Sequence, residues 1–454
     1  MYKNLIATLV IAFSVRIIWA YLGWNTHFIE AQNNSITIVY QRSAYLLNFG
    51  YGYSQALVGS PAYEDISIAM DNILLNENYS KIISEDEVYT TSHYPPGWSI
   101  IASVLFEVTS IPIPYAMQGF GIIIDILSLY FFSLIVIKKF PKIAMVSVWV
   151  YALFPPFIAI SVSMTPDVFI IFYLIVTCYL FIMYDETRKN KFIIISGLVC
   201  GVSALFRSDY FLFSFFISIL LLLKINKENI LNFFKWNIGI AIIALFILLP
   251  WALYNKKNNG HLIFTSSSLG GTLVSGLSAY PNPWNLGHSD LDRRDEALEA
   301  GIKTPFEYEG DQYFRERFSA YVKDNPGYYL KTILYRTLFF IAAPYSWGVE
   351  RTKETPSLSQ MLKNGNFFSN ILIYIQAYFT ILISAIFSLF SFFCFGYLLY
   401  RKKNIFLIQL SSIIFIYVWA THVFIHITSV YILPVAFMQI LIVITFLKRK
   451  SYNN

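Results

Sequence analysis

Apolar stretches of about 20 residues, the length of helix that crosses a bilayer, recur along the whole chain. Short polar turns separate most of them. The pattern predicts an all-α polytopic membrane protein with about ten transmembrane helices. The predicted spans cover residues 5–22, 115–137, 143–164, 167–184, 192–206, 210–223 and 236–253, and three more begin near Ile371, Ile405 and Tyr431.

Two further apolar stretches, residues 98–111 and 330–347, are too short or too charged to count as spans. The first contains Glu107, and the second contains Lys331 and Arg336. We predict that both are juxtamembrane or re-entrant helices. The chain then divides into a transmembrane module (residues 1–253) that includes a first large loop (23–114), a second large loop with its juxtamembrane helix (254–370) and a group of C-terminal transmembrane helices (371–454).

The composition excludes a soluble protein. Hydrophobic residues make up 56% of the chain, charged residues 13%, and the mean hydropathy is +0.55, which is far from the composition of soluble domains. The net charge of +6 is spread over short loops, so we expect no nucleic-acid partner. The cysteines all lie inside apolar stretches and are predicted to pack there, without a disulfide or metal role. They are Cys178, Cys200 and Cys394.

The distribution of lysine and arginine predicts the topology. Basic residues are concentrated in short loops, and such loops remain in the cytoplasm. Both large loops then lie outside. We predict a multi-pass protein of the bacterial cytoplasmic (inner) membrane, in contact with membrane lipids, whose active site faces outward. The basic loops lie at residues 138–142, 188–191, 224–235, 401–403 and 448–450.

Charged residues within the apolar stretches need an explanation, because a charge near the centre of a membrane helix costs roughly 2.5–3.5 kcal/mol. Asp125 is the most costly example. It either has a structural partner such as Arg16 or faces a functional cavity. Arg207 lies at the end of one predicted helix, just before the next begins. It either binds a lipid phosphate through charged hydrogen bonds or anchors the helix end at the interface.

Several short patterns follow one another in a recognisable order. Residues 40–53 contain an aromatic loop, residues 93–97 read His-Tyr-Pro-Pro-Gly, Thr165-Pro166-Asp167 opens a helix, and a glycine-containing stretch leads to Arg207. This order resembles the GT-C superfamily of polytopic glycosyltransferases. The similarity is greatest to the glycosyltransferase 39-like branch, which contains protein O-mannosyltransferases and lipid A aminoarabinose transferases.

The resemblance implies a GT-C-type fold and a membrane glycosyltransferase. Such an enzyme moves a sugar from a polyprenyl-phosphate donor to a glycan, lipid or protein acceptor on the outer face of the membrane. A carboxylate deprotonates the acceptor in an inverting displacement, and cations stabilise the departing phosphate. The resemblance implies no further cofactor with certainty, we assign no metal-binding residues, and the sequence leaves open whether a divalent metal takes part. The candidates are Glu30 and Asp167 as catalytic residues, Arg207 and Arg336 for the donor phosphate, and His93, Tyr94 and Tyr53 for the acceptor or sugar.

The chain departs from the family pattern at several positions. The family places its catalytic aspartate about four residues before the tyrosine that corresponds to Tyr40, where this chain has Ser35 and Ile36. Glu30 is the nearest acid. Gln118 and Val430 stand where the family often has arginine. Phosphate binding would therefore depend more heavily on the remaining candidate arginines.

Each candidate also has a structural interpretation. Glu30 can be an interfacial carboxylate, Asp167 a helix-opening acid, and His93 a residue that only caps its turn. His422 and His426 are four residues apart, but without a nearby acid they are weak metal ligands. Two other functions stay open. A polysaccharide polymerase of the envelope would carry arginines in its loops, as residues 293–317 do here, and a lipid-linked sugar flippase would line a central cavity with charges.

Overall fold

The structure is a computed structural model of the chain. It describes residues 2–22, 35–56, 88–223, 227–287, 290–342, 367–402 and 404–448. Almost all of the regular structure in these ranges is helical. The first ten helices are α1 (Tyr2–Leu22), α2 (Ser35–Asn48), α3 (Gly97–Thr109), α4 (Ile113–Lys139), α5 (Ala144–Ala152), α6 (Pro155–Ser161), α7 (Asp167–Thr187), α8 (Lys191–Ala204), α9 (Phe213–Phe216) and α10 (Ile219–Leu222).

The remaining helices include those of the second large loop and the apolar helices near the C-terminus. A short 3-10 helix, Leu433–Val435, precedes the last of them. They are α11 (Lys227–Asn259), α12 (Leu269–Ser278), α13 (Asp290–Glu299), α14 (Tyr308–Asp324), α15 (Pro326–Ala342), α16 (Phe367–Tyr400), α17 (Ile405–Val423), α18 (Ser429–Ile432) and α19 (Ala436–Lys448).

Six of the described helices are long and apolar enough to cross a membrane, namely α1, α4, α7, α11, α16 and α17. The predicted all-α polytopic architecture is confirmed. Residues 143–164, predicted as one span, form α5 and α6 with a bend of 52° between them. The cause is Pro155-Pro156, because proline has no backbone N–H to donate and is best accommodated in the first turn of a helix, where these two residues begin α6. The other predicted spans correspond to shorter helices, α8, α9 with α10, and α18 with α19.

Contacts between helix ends show how the bundle is ordered. Lys139 at the end of α4 pairs with Glu186 at the end of α7, at 2.6 Å, and the Lys448 ammonium donates to the carbonyl of Lys142 at 3.2 Å. The basic loops around residues 138–142 and 188–191 therefore share one end of the bundle. Asp167, which begins α7, lies at the opposite end.

Arg16 and Asp125 form an ion pair inside the bundle, and neither side chain is exposed. The Tyr151 hydroxyl donates to the second carboxylate oxygen of Asp125 at 3.2 Å. Arg16 also donates to the carbonyl of Ala152 at 3.0 Å. Of the two interpretations of Asp125, the structure supports the partnered one, because a paired charge is far less costly in an apolar interior than an isolated one.

Glycines bring α8 unusually close to α11. A Cβ atom added at Gly197 would lie 2.7 Å from the Cβ of Ile243, and one added at Gly201 would lie 2.7 Å from the Cβ of Ile247. Small residues allow two helix backbones to approach at membrane depth. This packing fixes the end of α8, and with it the position of Arg207, which follows three residues later.

The only strands in the described residues are β1 (Ser54–Ala56) and β2 (Val88–Thr90), which pair antiparallel. Ser54 lies opposite Thr90, and the backbone N–H of Thr91 donates to the carbonyl of Tyr53 at 3.1 Å. The ribbon leads directly into residues 93–97. It therefore delivers the His-Tyr-Pro-Pro-Gly turn to a defined place.

Candidate active site

Arg207 lies between two aspartates. Its Nε and Nη2 donate to the two carboxylate oxygens of Asp209 at 3.1 and 2.7 Å, and its Nη1 pairs with Oδ1 of Asp167. Asp167 comes from the first turn of α7 and Arg207 from the end of α8. The structure thus brings together two residues that the sequence nominated for catalysis and phosphate binding. They are 40 positions apart in the chain.

The hydrogen bonds within this cluster do not engage every N–H group of Arg207 or every carboxylate oxygen of the two aspartates. A guanidinium carries five N–H groups, and the contacts described above engage one on Nη1, one on Nη2 and the Nε proton. Both oxygens of Asp209 accept from Arg207. Asp167 accepts through Oδ1, and its Oδ2 accepts no side-chain bond from the described residues. Of the two aspartates, Asp167 therefore has the oxygen that can reach a ligand.

The charges of the cluster stabilise one another. Burial raises the pKa of Asp209, but Arg207 more than reverses this, so its pKa lies below the ordinary value. Burial lowers the pKa of Arg207, and the charges of Asp209 and Asp167 raise it well above the usual value. Arg207 and Asp209 therefore both remain ionised at neutral pH. Together, one cation and two aspartates make a compact and mostly buried charged group.

The His-Tyr-Pro-Pro-Gly turn packs directly beside this cluster. The backbone N–H of Gly97 donates to the carbonyl of Leu205 at 2.7 Å, two residues before Arg207. A Cβ atom at position 97 would lie 2.7 Å from the same carbonyl oxygen, so only glycine allows this approach. The indole of Trp98 donates to the carbonyl of Met164 at 3.0 Å. The turn is therefore fixed both to the end of α8 and to the turn before Asp167.

Three aromatic candidates from the sequence lie together at the turn. The rings of His93 and Tyr94 are 4.3 Å apart. The Tyr53 hydroxyl donates to the carbonyl of Tyr94 at 3.2 Å, and its ring meets Trp251 edge-on at 5.3 Å. Tyr53 is buried and braces the turn from behind. His93 and Tyr94 are partly exposed.

Tyr40 connects the turn to the charged cluster. Its ring lies 5.4 Å from that of Tyr94, and its hydroxyl is within electrostatic range of Arg207 and Asp167. Burial, together with the neighbouring phenol of Tyr53, raises the pKa of Tyr40 well above its usual value. It therefore stays protonated and can donate a hydrogen bond. The sequence showed Tyr40 only as part of a motif, without a role.

The C-terminal helices cover the other side of Arg207. The guanidinium lies over the ring of Tyr431, 5.0 Å from its centre, and His422 stacks on the same ring at 4.7 Å. His422 also hydrogen-bonds the Tyr210 hydroxyl at 3.0 Å. His426 meets the ring of Tyr431 edge-on at 6.1 Å. The two histidines share an aromatic neighbour, and within the described residues no group of His, Cys, Asp or Glu has a metal-binding arrangement.

Two other candidates lie outside this cluster. Arg336 is buried in α15 and donates to the carbonyls of Gly276 and Val423 at 2.6 and 2.9 Å. In the part of the chain that the structure describes, no carboxylate pairs with it. These contacts join α12, α15 and the end of α17. Glu30, the other catalytic candidate, falls in residues 23–34, which are not among the described residues.

Glu307 is a buried acid beside the turn that the sequence did not single out. Its carboxylate accepts from the Thr91 hydroxyl at 2.6 Å and from the backbone N–H and hydroxyl of Ser92 at 2.8 and 2.9 Å. Burial raises its pKa to about 7, although these hydrogen bonds act in the opposite direction. No motif marked it, because the contact spans more than 200 residues, and acids in a polar loop are usually solvated.

Comparison with known protein families identifies part of the chain. Residues 94–254 match a family model described as dolichyl-phosphate-mannose-protein mannosyltransferase. This region covers less than half of the chain but includes the turn from Tyr94, Asp167 and Arg207. The match supports a membrane glycosyltransferase of the GT-C type and confirms the resemblance predicted from the sequence. No curated protein and no solved structure matches the chain.

Proposed function

We propose that this GT-C-type membrane glycosyltransferase moves a sugar from a polyprenyl-phosphate donor to an acceptor hydroxyl, with Asp167 as base and Arg207 at the donor phosphate. The observation that supports this most strongly is the convergence of the His-Tyr-Pro-Pro-Gly turn on the Asp167–Arg207–Asp209 cluster. A carboxylate and a cation in contact are the groups that such a displacement needs. The acceptor is a glycan, lipid or protein.

In the proposed step the acceptor oxygen attacks the anomeric carbon of the donor sugar. Asp167 Oδ2 takes the hydroxyl proton as the new carbon–oxygen bond forms. The bond from the anomeric carbon to the phosphate oxygen breaks, and polyprenyl phosphate leaves with the bonding electrons. Configuration at the anomeric carbon is inverted. A single base suffices, because a phosphate leaves without needing a proton donated to it.

The division of roles between the two aspartates follows from their hydrogen bonds. Asp209 holds the guanidinium through two bonds, so it orients Arg207, and both of its oxygens are engaged. Arg207 has N–H groups beyond those that bind the aspartates and can direct them to the phosphate, and charged hydrogen bonds of this kind are strong and directional. Glu30 remains the alternative base, since a general base needs only one well-placed acid.

The location of the cluster suits a lipid-linked donor. Basic loops share the opposite end of the bundle, and such loops usually face the cytoplasm, which supports an outward-facing cluster. A polyprenyl chain cannot leave the bilayer, so its sugar phosphate must be bound near a helix end. His93 and Tyr94 belong to the turn beside the cluster and are partly exposed, so they can contact the sugar or the acceptor.

The test is to incubate purified protein with a panel of polyprenyl-phosphate sugars and to measure released polyprenyl phosphate. Asp167→Asn should reduce turnover by roughly 10²–10⁴, the usual effect of losing a general base. Asp185→Asn is the matched control, because Asp185 lies at the other end of the same helix, paired with Arg188 at 3.0 Å. It should leave turnover unchanged.

The alternatives give different results. Movement of the lipid-linked sugar across vesicles without release of polyprenyl phosphate would show a flippase. Growth of a polymer from a diphosphate-linked oligosaccharide would show a polymerase. If folded Asp167→Asn protein keeps half of its activity, Asp167 is not the base and Glu30 becomes the first candidate.

A further inference from the structure

Glu307 occupies the position immediately before α14, yet it does not cap that helix. An acid at this position usually accepts from the first backbone N–H groups of its own helix. Here no such bond forms. The carboxylate points instead to Thr91 and Ser92, which belong to the first loop and lie more than 200 positions away in the sequence.

The environment of Glu307 makes this arrangement costly unless every bond is kept. The residue is 9% exposed, and no cation pairs with it in the described ranges. A buried carboxylate without a cation is tolerated only when hydrogen bonds satisfy its oxygens. Thr91 and Ser92 supply those bonds through two hydroxyls and one backbone N–H. A small displacement of these residues would leave a buried charge without partners.

A second set of contacts holds Ser92 from the segment that precedes α12. The backbone N–H of Ser267 donates to the carbonyl of Ser92 at 2.8 Å, and the hydroxyls of these serines are 3.0 Å apart. The next residue, His93, packs against Phe306 at 5.1 Å. The segment that precedes α14 and the segment that precedes α12 therefore both contact the start of the turn that carries His93 and Tyr94.

We propose that Glu307 is a positioning residue for the acceptor side of the active site. It holds Thr91 and Ser92, which fixes His93 and Tyr94 beside the Asp167–Arg207 cluster and makes the segment before α14 part of the active site. The kinetic consequence of this inference rests on the proposed glycosyl transfer. The contact itself does not, and the two are tested separately.

The contact is tested by hydrogen exchange. In Glu307→Gln the amide oxygen can accept only part of the bonds that the carboxylate accepts, so the peptide containing residues 88–98 should exchange faster, by about tenfold at the Ser92 amide. Glu309→Gln is the matched control, because Glu309 lies two residues away and is exposed. It should leave exchange unchanged. Equal exchange in wild type and folded Glu307→Gln would overturn the inference, whatever reaction the protein performs.

The positioning role is tested by kinetics with the same variants. Glu307→Gln should lower kcat/KM for the acceptor by at least about tenfold, the size expected when a hydrogen bond to a charged group is lost, while KM for the donor stays unchanged. Thr91→Val removes one hydroxyl at nearly constant shape and should cause a smaller loss in the same direction. Thr91→Val replaces Glu307→Gln as the test variant if Glu307→Gln does not fold. A folded Thr91→Val or Glu307→Gln protein with a normal acceptor profile would overturn the inference.

Failure of the proposed function gives a separate result. If wild type transfers no sugar from any donor, the proposed function is wrong, and the exchange experiment still decides whether Glu307 fixes the turn. If wild type transfers sugar and both Glu307→Gln and Glu309→Gln do so equally well, the proposed function stands and the positioning role is wrong.

Discussion

Replacement of Arg207 by alanine should affect stability and donor binding together, and the structure gives the size of each effect. Removing one partner of a buried ion pair costs about 3–5 kcal/mol, because the other charge is left without compensation. The side chains of Asp167 and Asp209 are 13% and 26% exposed. Water reaches them in part, so we expect a loss of about 2–3 kcal/mol in the free energy of unfolding.

The effect on the donor has a separate origin. If Arg207 contacts the donor phosphate, its removal deletes a charged hydrogen bond, which is worth about 1.5–3 kcal/mol, or roughly 10- to 150-fold in donor affinity. Arg207→Lys should recover part of the stability, because it keeps the positive charge. It should recover little of the affinity, because lysine lacks the planar fork that binds Asp209 and a phosphate at once.

A double variant separates the two effects. Arg207→Ala combined with Asp209→Asn removes the cation together with one stranded carboxylate, so stability should return towards wild type while donor affinity stays low. Arg188→Ala is a control at the opposite end of the bundle, where a half-exposed pair contributes about 0–1 kcal/mol. The assays are chemical unfolding and binding of a polyprenyl-phosphate sugar, both in the same detergent.

One result would refute the phosphate role. If the double variant is folded and binds donor as tightly as wild type, Arg207 serves only to pair the two aspartates. Arg336 would then be the next candidate for the phosphate. Its contacts to the carbonyls of Gly276 and Val423 would have to rearrange for it to reach a ligand.

Two further predictions concern other buried charges. Asp125→Asn should lower the free energy of unfolding by about 3–5 kcal/mol, because Arg16 is left unpaired, while the folded fraction keeps its donor affinity; an inactive variant of normal stability would instead indicate a functional cavity. For Glu307, the folded pKa of about 7 lies above the ordinary value of 4.5 expected in the unfolded chain, so the folded state holds the proton more tightly. Its contribution to stability is present below about pH 4.5 and is lost as pH rises to about 7, by up to about 3 kcal/mol relative to Glu307→Gln. Unfolding of both proteins at pH 5 and pH 8 measures this, and a pH-independent difference would contradict it.

The helical architecture was predictable because the signal is local. A stretch of about 20 apolar residues has few alternatives to a membrane helix, so most predicted spans correspond to helices with similar bounds. The break between α5 and α6 was also visible in the sequence as Pro155-Pro156. The prediction of one span over residues 143–164 gave more weight to the length of the apolar stretch than to these prolines.

The candidate site was predictable only where charge stood out against an apolar background. Arg207 was identified in this way, whereas Asp167 was nominated through the resemblance to a known family. The partner of Asp125 was anticipated because a buried charge needs a partner of opposite sign. Arg336 was expected at the donor phosphate, and its role stays untested. Its two carbonyl partners come from distant helices. No pattern in one sequence reveals such contacts.

Glu307 was also missed because its burial depends on long-range contacts that the sequence does not reveal. Its polar loop has a composition that predicts a solvated acid, and the residue is buried only because the loop folds back on Ser92. Tyr40, Tyr53 and Tyr431 are also positioned by long-range contacts. All four lie outside residues 94–254, the region that matches the family model.

The positions of these residues suggest different roles for the region that matches the family model and for the rest of the chain. On the proposed function, the matched region supplies the groups that carry the reaction, Asp167 and Arg207. The unmatched parts supply side chains that pack around those groups, with Tyr431 over the guanidinium and Glu307 behind the turn. A sugar phosphate presents similar chemistry whatever the acceptor, so the reacting groups have little freedom to vary. The acceptor differs between enzymes, and the residues that hold its side of the site are therefore expected in the segments outside the region that matches the family model.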